Sequence, residues 1–381
     1  MSATMATITG YDTINRNIVS GIYVMKVDKW QIAERFDAAQ RELVIQTADL
    51  PLGTLADMVE EGSIDLQPGF QRRERWSHEN QSHLIESFLL NVPVPPIYLS
   101  EEKDGKYTAI DGKQRLRAIT DFMKGRLALR SLDQMHEAEG AKFENLPSEI
   151  SNALRLRPYM RVITILKQSD ERLKYSVFLR LNRGGERLNG QEIRNVAFRG
   201  PLNDAIYIAA DDDFLKERLK IFSESSEAYR QMQDAEFVLR FLALNRNLET
   251  FRGSLSEAMD SYMIDGLRMN DRQATSEVYQ FKIALDRCQY IWGDLAFRRP
   301  DKGEWRDQTL AGMYDAQMLS VASMDEHEYL DACTRRAHII DSTRELFADP
   351  EFDKAVRTGT NTPARIRLRV EKMRLVLLGK L

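Results

Sequence analysis

Apolar positions along the chain change their period near its middle. From Trp30 to about Val44 they recur at helical spacing. Leu55, Met58 and Val59 predict a short amphipathic helix, which Gly62 separates from the strand-like Ser63-Ile64-Asp65-Leu66. Pro68 to Trp76 is polar and basic with two aromatics, and reads as a loop. Ser77 suits the N-cap of a helix over 78–90, whose stripe is Leu84, Ile85, Phe88 and Leu89. The prolines of Asn91-Val92-Pro93-Val94-Pro95-Pro96 stop that helix, because proline lacks an N–H and clashes with the preceding turn. Ile97-Tyr98-Leu99 and Tyr107-Thr108-Ala109-Ile110 predict two strands joined by a turn at Lys103-Asp104-Gly105-Lys106. The second strand runs through Asp111-Gly112 into a helix bearing Leu116, Ile119 and Met123. Pro158–Leu166 is rich in β-branched residues and predicts another strand. A helix with Tyr175, Phe178 and Leu179 follows, stopped by Asn182-Arg183-Gly184-Gly185, and Asn189 opens the next one.

Beyond about residue 200 the strand signals fade. Helical stripes take over: Met232, Ala235, Leu239 and Leu242, then Val278, Phe281, Leu285, Cys288 and Trp292, then Leu330, Cys333, Ala337 and Ile340. Thr362-Pro363 predicts an N-cap and first helical residue, followed by Ile366, Val370, Met373 and Leu377. The fold class expected is α+β in the first half and all-helical in the second. The expected divisions are an arm over 1–40, which could carry an extra strand, a phosphate-binding domain over 41–200 and a helical domain over 201–381.

Composition adds less than charge distribution does. The 381 residues, 43% of them hydrophobic, can bury a large core without staples. Cys288 and Cys333 fall in apolar helical patterns and are expected as buried thiols, and no Cys/His cluster has zinc spacing. The net charge of −4 excludes a histone-like binder. Yet residues 151–200 hold 11 basic against 4 acidic side chains, and the stretch 357–381 holds seven basic residues against Glu371 alone. Solvated helix faces explain such runs, and so does an anionic partner. With no signal-like segment and no long apolar run, a cytoplasmic protein without membrane contact is expected.

Three stretches offer chemistry. The strand–Asp111-Gly112-Lys113-Gln114-Arg115–helix junction would gather free N–H groups, a helix dipole and two cations where an anion could sit. An Asp-Gly turn with surface charges would look the same. Phe70-Gln71-Arg72 with Trp76 could clamp phosphate and stack a base, or anchor its loop through the two rings. The third runs from Leu181-Asn182-Arg183-Gly184-Gly185 to Glu192-Ile193-Arg194-Asn195. Glu192 could act as a general base, or complete a capping box with Asn189.

In this order the three stretches resemble a known family, the domain of unknown function 262, which is the N-terminal domain of GmrSD-type modification-dependent restriction enzymes. The resemblance runs over roughly residues 40–250. It includes Leu84-Ile85-Glu86-Ser87, Val92-Pro93-Val94-Pro95-Pro96-Ile97, Leu188-Asn189-Gly190-Gln191-Glu192 and the run Val238-Leu239-Arg240-Phe241-Leu242. It implies a ParB/sulfiredoxin-like fold and a part in defence against phage, with NTP hydrolysis or DNA cleavage. Asp111, Gln114, Arg115 and Glu192 would then be catalytic. Gln71, Arg72, Gly112, Lys113, Asn182, Arg194 and Asn195 would bind nucleotide phosphates. Mg²⁺ and a nucleoside triphosphate would be cofactors, DNA a substrate, and a partner protein or further subunits could join through the helical domain. Lys113 stands where the family has a glutamine, and helices stand where larger members carry a nuclease domain. Two other readings stay open: a non-hydrolytic sensor of nucleotide or modified DNA, and an NTP-independent DNA nickase.

Overall fold

The computed structural model describes residues 29–66, 76–181, 189–301 and 303–380. The chain divides into two units, Met1–Glu42 and Leu43–Leu381. The described part of the first is helix α1 (Lys29–Glu42), on which Trp30, Ile32 and Phe36 are exposed.

The second unit opens with β1 (Ile45–Pro51), α2 (Leu52–Glu60), β2 (Ile64–Asp65), α3 (His78–Leu89), β3 (Ile97–Glu101), β4 (Tyr107–Asp111) and α4 (Lys113–Met123). It continues through α5 (Ser148–Leu156), β5 (Pro158–Ile165), α6 (Glu171–Leu181) and α7 (Gly190–Ala197). Among the described residues the five strands form one mixed sheet in the order β1-β5-β3-β4-β2. Pairs β1–β5 and β3–β4 are antiparallel, and β3–β5 and β2–β4 are parallel. The 3–4 hairpin closes as the sequence predicts, with Glu102 N–H donating to the Lys106 carbonyl at 2.8 Å and Gly105 at φ +84°. Ser77 Oγ accepts from Asn80 N–H at 3.2 Å and caps α3.

The helical half contains α8 (Pro201–Ala210), α9 (Asp213–Arg218), α10 (Glu227–Arg230), α11 (Gln233–Asn247), α12 (Leu255–Gly266) and α13 (Asp271–Trp292). A two-stranded ribbon, β6 (Pro300–Asp301) with β7 (Glu304–Trp305), interrupts it. Then come α14 (Ala311–Ala322), α15 (Glu326–Thr334), α16 (Arg336–Glu345), α17 (Pro350–Arg357) and α18 (Pro363–Leu377). The α+β half followed by a helical half is the architecture the hydrophobic pattern predicts, apart from this ribbon.

Two hydrophobic clusters share the sheet. One joins Leu55, Leu84, Phe88, Ile97, Leu99, Ala109, Leu116, Phe122 and Val162. The other takes Ile110 and Ile165 from the same strands and packs them with Tyr175, Phe178, Ile193 and the helices that follow. Thus α6 and α7, which precede residue 200, pack with the helical half. No pattern in the sequence marked where one core gives way to the other.

Several local expectations change. The stripe Leu330–Ile340 is two helices, broken at Arg335 (φ −106°, ψ 19°), and Leu330 is exposed. Thr362 does not cap α18; its hydroxyl donates to the Gly359 carbonyl at 3.2 Å, while Pro363 does take the first helical position. Cys288 is buried as expected and Cys333 only partly so, and both are free thiols. The basic C-terminal stretch is largely engaged within the fold. Arg365 and Arg367 donate to main-chain carbonyls, Lys372 pairs with Asp349 at 3.2 Å, and Arg369 is fully buried against Asp315. Among the described residues no helix is long and apolar enough to cross a membrane.

Candidate functional site

The β4–α4 junction is built around a glycine in the left-handed region. Gly112 has φ +90° and ψ 12° and is the N-cap residue of α4. A β-carbon there would lie 2.9 Å from Ile97 Cγ1, so the site excludes side chains twice over. As a glycine, Gly112 brings no side chain to cap α4, whose N-terminus is thereby a place where backbone N–H groups and the helix dipole converge. A register shift between Tyr98 and Leu99 precedes the junction: Leu99 faces Ala109, and Tyr98 faces Asp111. Strand alternation puts Ala109 in the first cluster and Ile110 in the helical one, and Asp111 ends the strand.

Asp111 and Arg115 are one turn apart and bond to each other, Arg115 Nη2 donating to Asp111 Oδ2 at 2.5 Å. The same nitrogen donates to the Pro96 carbonyl at 3.2 Å. Arg115 therefore braces the strand end, the helix and the segment entering β3, while its Nε–H is buried without an acceptor. The Asp111 side chain stays 41% exposed. Gln114 Oε1 accepts from the Trp76 N–H at 3.3 Å, and Gln81 Nε2 donates to the Trp76 carbonyl at 2.9 Å. The chain thus returns from residues 67–75 against the first turn of α4. Gln71, Arg72 and Asn182 lie outside the described residues.

Glu192, Arg194 and Asn195 have inward partners. Glu192 completes the capping box with Asn189: its Oε2 accepts the Asn189 N–H at 2.6 Å, and Asn189 Oδ1 accepts the Glu192 N–H at 2.9 Å. Arg194 Nε donates to Asp260 Oδ1 at 2.6 Å and its Nη2 to Ser256 Oγ at 2.7 Å. Asn195 Oδ1 accepts from Asn203 Nδ2 at 2.9 Å. All three residues are buried; Glu192 caps its own helix, while Arg194 and Asn195 fasten α7 to α12 and α8. The structure therefore gathers Asp111, Gly112, Lys113, Gln114 and Arg115 at one junction and gives the α7 residues positioning contacts.

A cleft of about 820 Å³ opens beside α4, and the sequence reading missed it. Asp65, Glu102, Thr108, Arg117, Lys174 and Arg199 are among its walls. They come from β2, the β3–β4 turn, β4, α4, α6 and the segment after α7, so no contiguous motif could signal it. One clue was present: Arg117 lies four residues after Lys113, on the same helix face. Arg199 Nη2 donates to Asp65 Oδ2 at 2.9 Å. Burial pushes the Lys113 ammonium down to about 8; the Arg117 and Arg199 charges push the same way, and Asp65 opposes them. Burial also raises the Glu102 carboxyl, against a hydrogen bond to Thr108 and the charges of Arg199 and Lys174.

His83, Glu86 and Asp133 bring three potential metal-ligand atoms within 4.8 Å of one another. Glu86, however, already accepts N–H groups from Asp133, Gln134 and Met135 at 3.2, 2.7 and 2.8 Å, so it serves as an anchor for that loop.

With this geometry in place, comparison with known proteins gives one finding. Residues 53–199 match the family model described as GmrSD restriction endonuclease, N-terminal domain. This span carries the sheet strands β2 to β5, the Gly112 junction and most of the cleft. Neither the curated proteins nor the solved structures gave a match.

Proposed function

From the match of residues 53–199 to a restriction-endonuclease N-terminal domain, we propose that this protein acts on DNA in restriction or phage defence. The finer reading is that it hydrolyses a nucleoside triphosphate, cleaves DNA, or does both, with the phosphates held at the β4–α4 junction. The observation that carries it is the α4 N-terminus, set by Gly112 at φ +90° and flanked by Lys113 and Arg115. Backbone N–H groups, the helix dipole and two cations converge there, and phosphoryl transfer depends mainly on such positioning and charge stabilisation.

In this reading the guanidinium of Arg115 and the ammonium of Lys113 stabilise phosphate oxygens, and Gln114 orients the attacking water. Gln71, Arg72 and Asn182 bind phosphate as well in this reading. Glu192, Arg194 and Asn195 act through the placement of α7. Mg²⁺ fits the donor set, because only one Asp111 oxygen is taken by Arg115 and the carboxylate is part-exposed. Bound with nucleotide, the ion would neutralise phosphate charge, and Asp111 would be its protein ligand.

The pairing of Asp111 with Arg115, and a lysine at position 113, favour a second reading. Here nucleotide or modified DNA is bound as a signal and passed to a partner through the helical half. Phosphate release from ATP and GTP, with and without DNA, separates the two. The hydrolase reading expects turnover that Asp111→Ala abolishes. Tight binding without turnover supports the sensor, and plasmid nicking with Mg²⁺ alone supports a nickase. Absence of phosphate release under every condition rules the hydrolase out.

A further inference from the structure

We propose that a cavity between α8 and the start of α11 binds an organic cation, an ammonium or guanidinium group on a short apolar stem, with Asp234 as its counter-ion. The cavity holds about 300 Å³, at the small end of the range for small-molecule sites. Its walls are Tyr207 and Ile208 of α8, Asp211 just after that helix, Tyr229 of α10, and Met232 and Asp234. Met232 and Asp234 flank Gln233 at the head of α11, where Met232 has a left-handed backbone with φ +55°. The Tyr207 hydroxyl donates to the Met232 sulfur at 2.9 Å and ties α8 to that turn.

Residues 201–260 hold 12 acidic side chains against 7 basic ones, and the shortage of cations reaches the cavity. Asp234 is only 7% exposed. Its Oδ1 accepts the Ala235 N–H at 2.9 Å, and it joins no ion pair among the described residues. Burial raises its carboxyl and Asp211 pushes the same way, while main-chain N–H groups and Lys216 oppose them. Lys216 is bonded to Asp211, and its charge is felt by Asp234 and Asp213 as well. One ammonium thus serves three carboxylates. Arg230, next to Tyr229, is exposed, joins no ion pair among the described residues and is not part of the cavity wall. Burial raises the Tyr207 hydroxyl, and the charges of Asp234 and Glu192 add to that, so Glu192 deepens the negative field. A carboxylate in a dry wall without a cation is costly to keep charged, and a cationic ligand offsets that cost.

The uncharged walls suit an organic cation. Tyrosine rings attract ammonium and guanidinium groups, and the Met232 sulfur is polarisable. Ile208, 77% exposed, offers an apolar contact to the stem. A metal ion is poorly matched, because no third His, Cys or carboxylate ligand closes on Asp211 and Asp234 among the described residues. The same cationic group is offered by a free amine and by an arginine or lysine side chain of a protein. This inference does not depend on what the junction binds.

The test is a calorimetric titration of the full-length protein with two probes, agmatine and acetyl-Ala-Arg-Ala-amide. The same peptide with uncharged citrulline in place of arginine is the control. Wild type should bind at least one cationic probe and discriminate against the control. Asp234→Asn should weaken binding by about tenfold or more. Tyr229→Leu should weaken it too, whereas Tyr229→Phe keeps the ring and should retain most of it. Urea unfolding at pH 7 separates lost binding from a damaged fold. Asp234→Asn removes a charge that the fold disfavours, and should be at least as stable as wild type. Binding of agmatine alone assigns a free amine, and binding of the peptide assigns a protein side chain. No binding of either cationic probe by wild type overturns the proposal. So does binding that survives Asp234→Asn, or an Asp234→Asn chain that fails to fold, which would make the carboxylate structural.

Discussion

Replacing Asp315 by asparagine should destabilise the helical half more than most single substitutions do. Asp315 is 1% exposed and lies between two buried guanidiniums. Arg240 donates through Nε and Nη2 to its two oxygens, each at 2.6 Å, and Arg369 Nη2 bonds to Oδ2. These contacts join α11, α14 and α18, and the cluster carries one net positive charge. Removing the carboxylate charge leaves two cations facing each other in a dry interior. Breaking a buried pair from one side typically costs about 3–5 kcal/mol. With a urea slope of about 3 kcal/mol/M, the midpoint should fall by about 1–2 M. Arg369→Met added to Asp315→Asn should recover part of this by removing one of the opposed charges. The recovery should be incomplete, because the Ala355 and Thr360 carbonyls lose their Arg369 donors, at roughly 1 kcal/mol each. The assay is urea unfolding of wild type, both single variants and the double variant. A loss below about 1 kcal/mol for Asp315→Asn, or a double variant no more stable than that single one, would refute the reasoning.

Gly112→Ala should cost about 2–4 kcal/mol, from the left-handed backbone and the contact with Ile97, and should weaken ligand binding at the junction; urea unfolding and a nucleotide titration check both. Lys113 makes a signed prediction about pH. Its folded value of about 8 lies below the ordinary 10.5, so the unfolded chain binds more protons between those pH values, and stability should rise with pH across that window. Lys113→Met should remove this rise and stabilise the protein at neutral pH, as read from urea midpoints measured at pH 7 to 10.

Much of the fold was legible because its signals are local. Ser77, the prolines after Asn91, the turn at Gly105 and the β-branched run before Leu166 each act within a few residues. Strand β1 was missed because its burial does not alternate. It is largely exposed, paired along one edge with β5, and so has no period of two to read. At the junction, Gly112 could be recognised from its place between a strand and a helix. The roles of Arg194 and Asn195 could not, because Asp260 and Asn203 approach from other helices. The cleft was illegible for the same reason, since its charged groups meet only after α6 and α7 have packed across the sheet.

The division of β4 between two cores has a practical consequence. Ile110, Ile165, Tyr175, Phe178, Ile193 and Val196 belong to the cluster completed by helices beyond residue 200. The span 53–199 that matches the family model therefore ends before its own sheet is covered. A fragment cut after Arg199 would bare that apolar layer to water and invite self-association. In this protein the helical half is the lid of the sheet as much as a domain of its own.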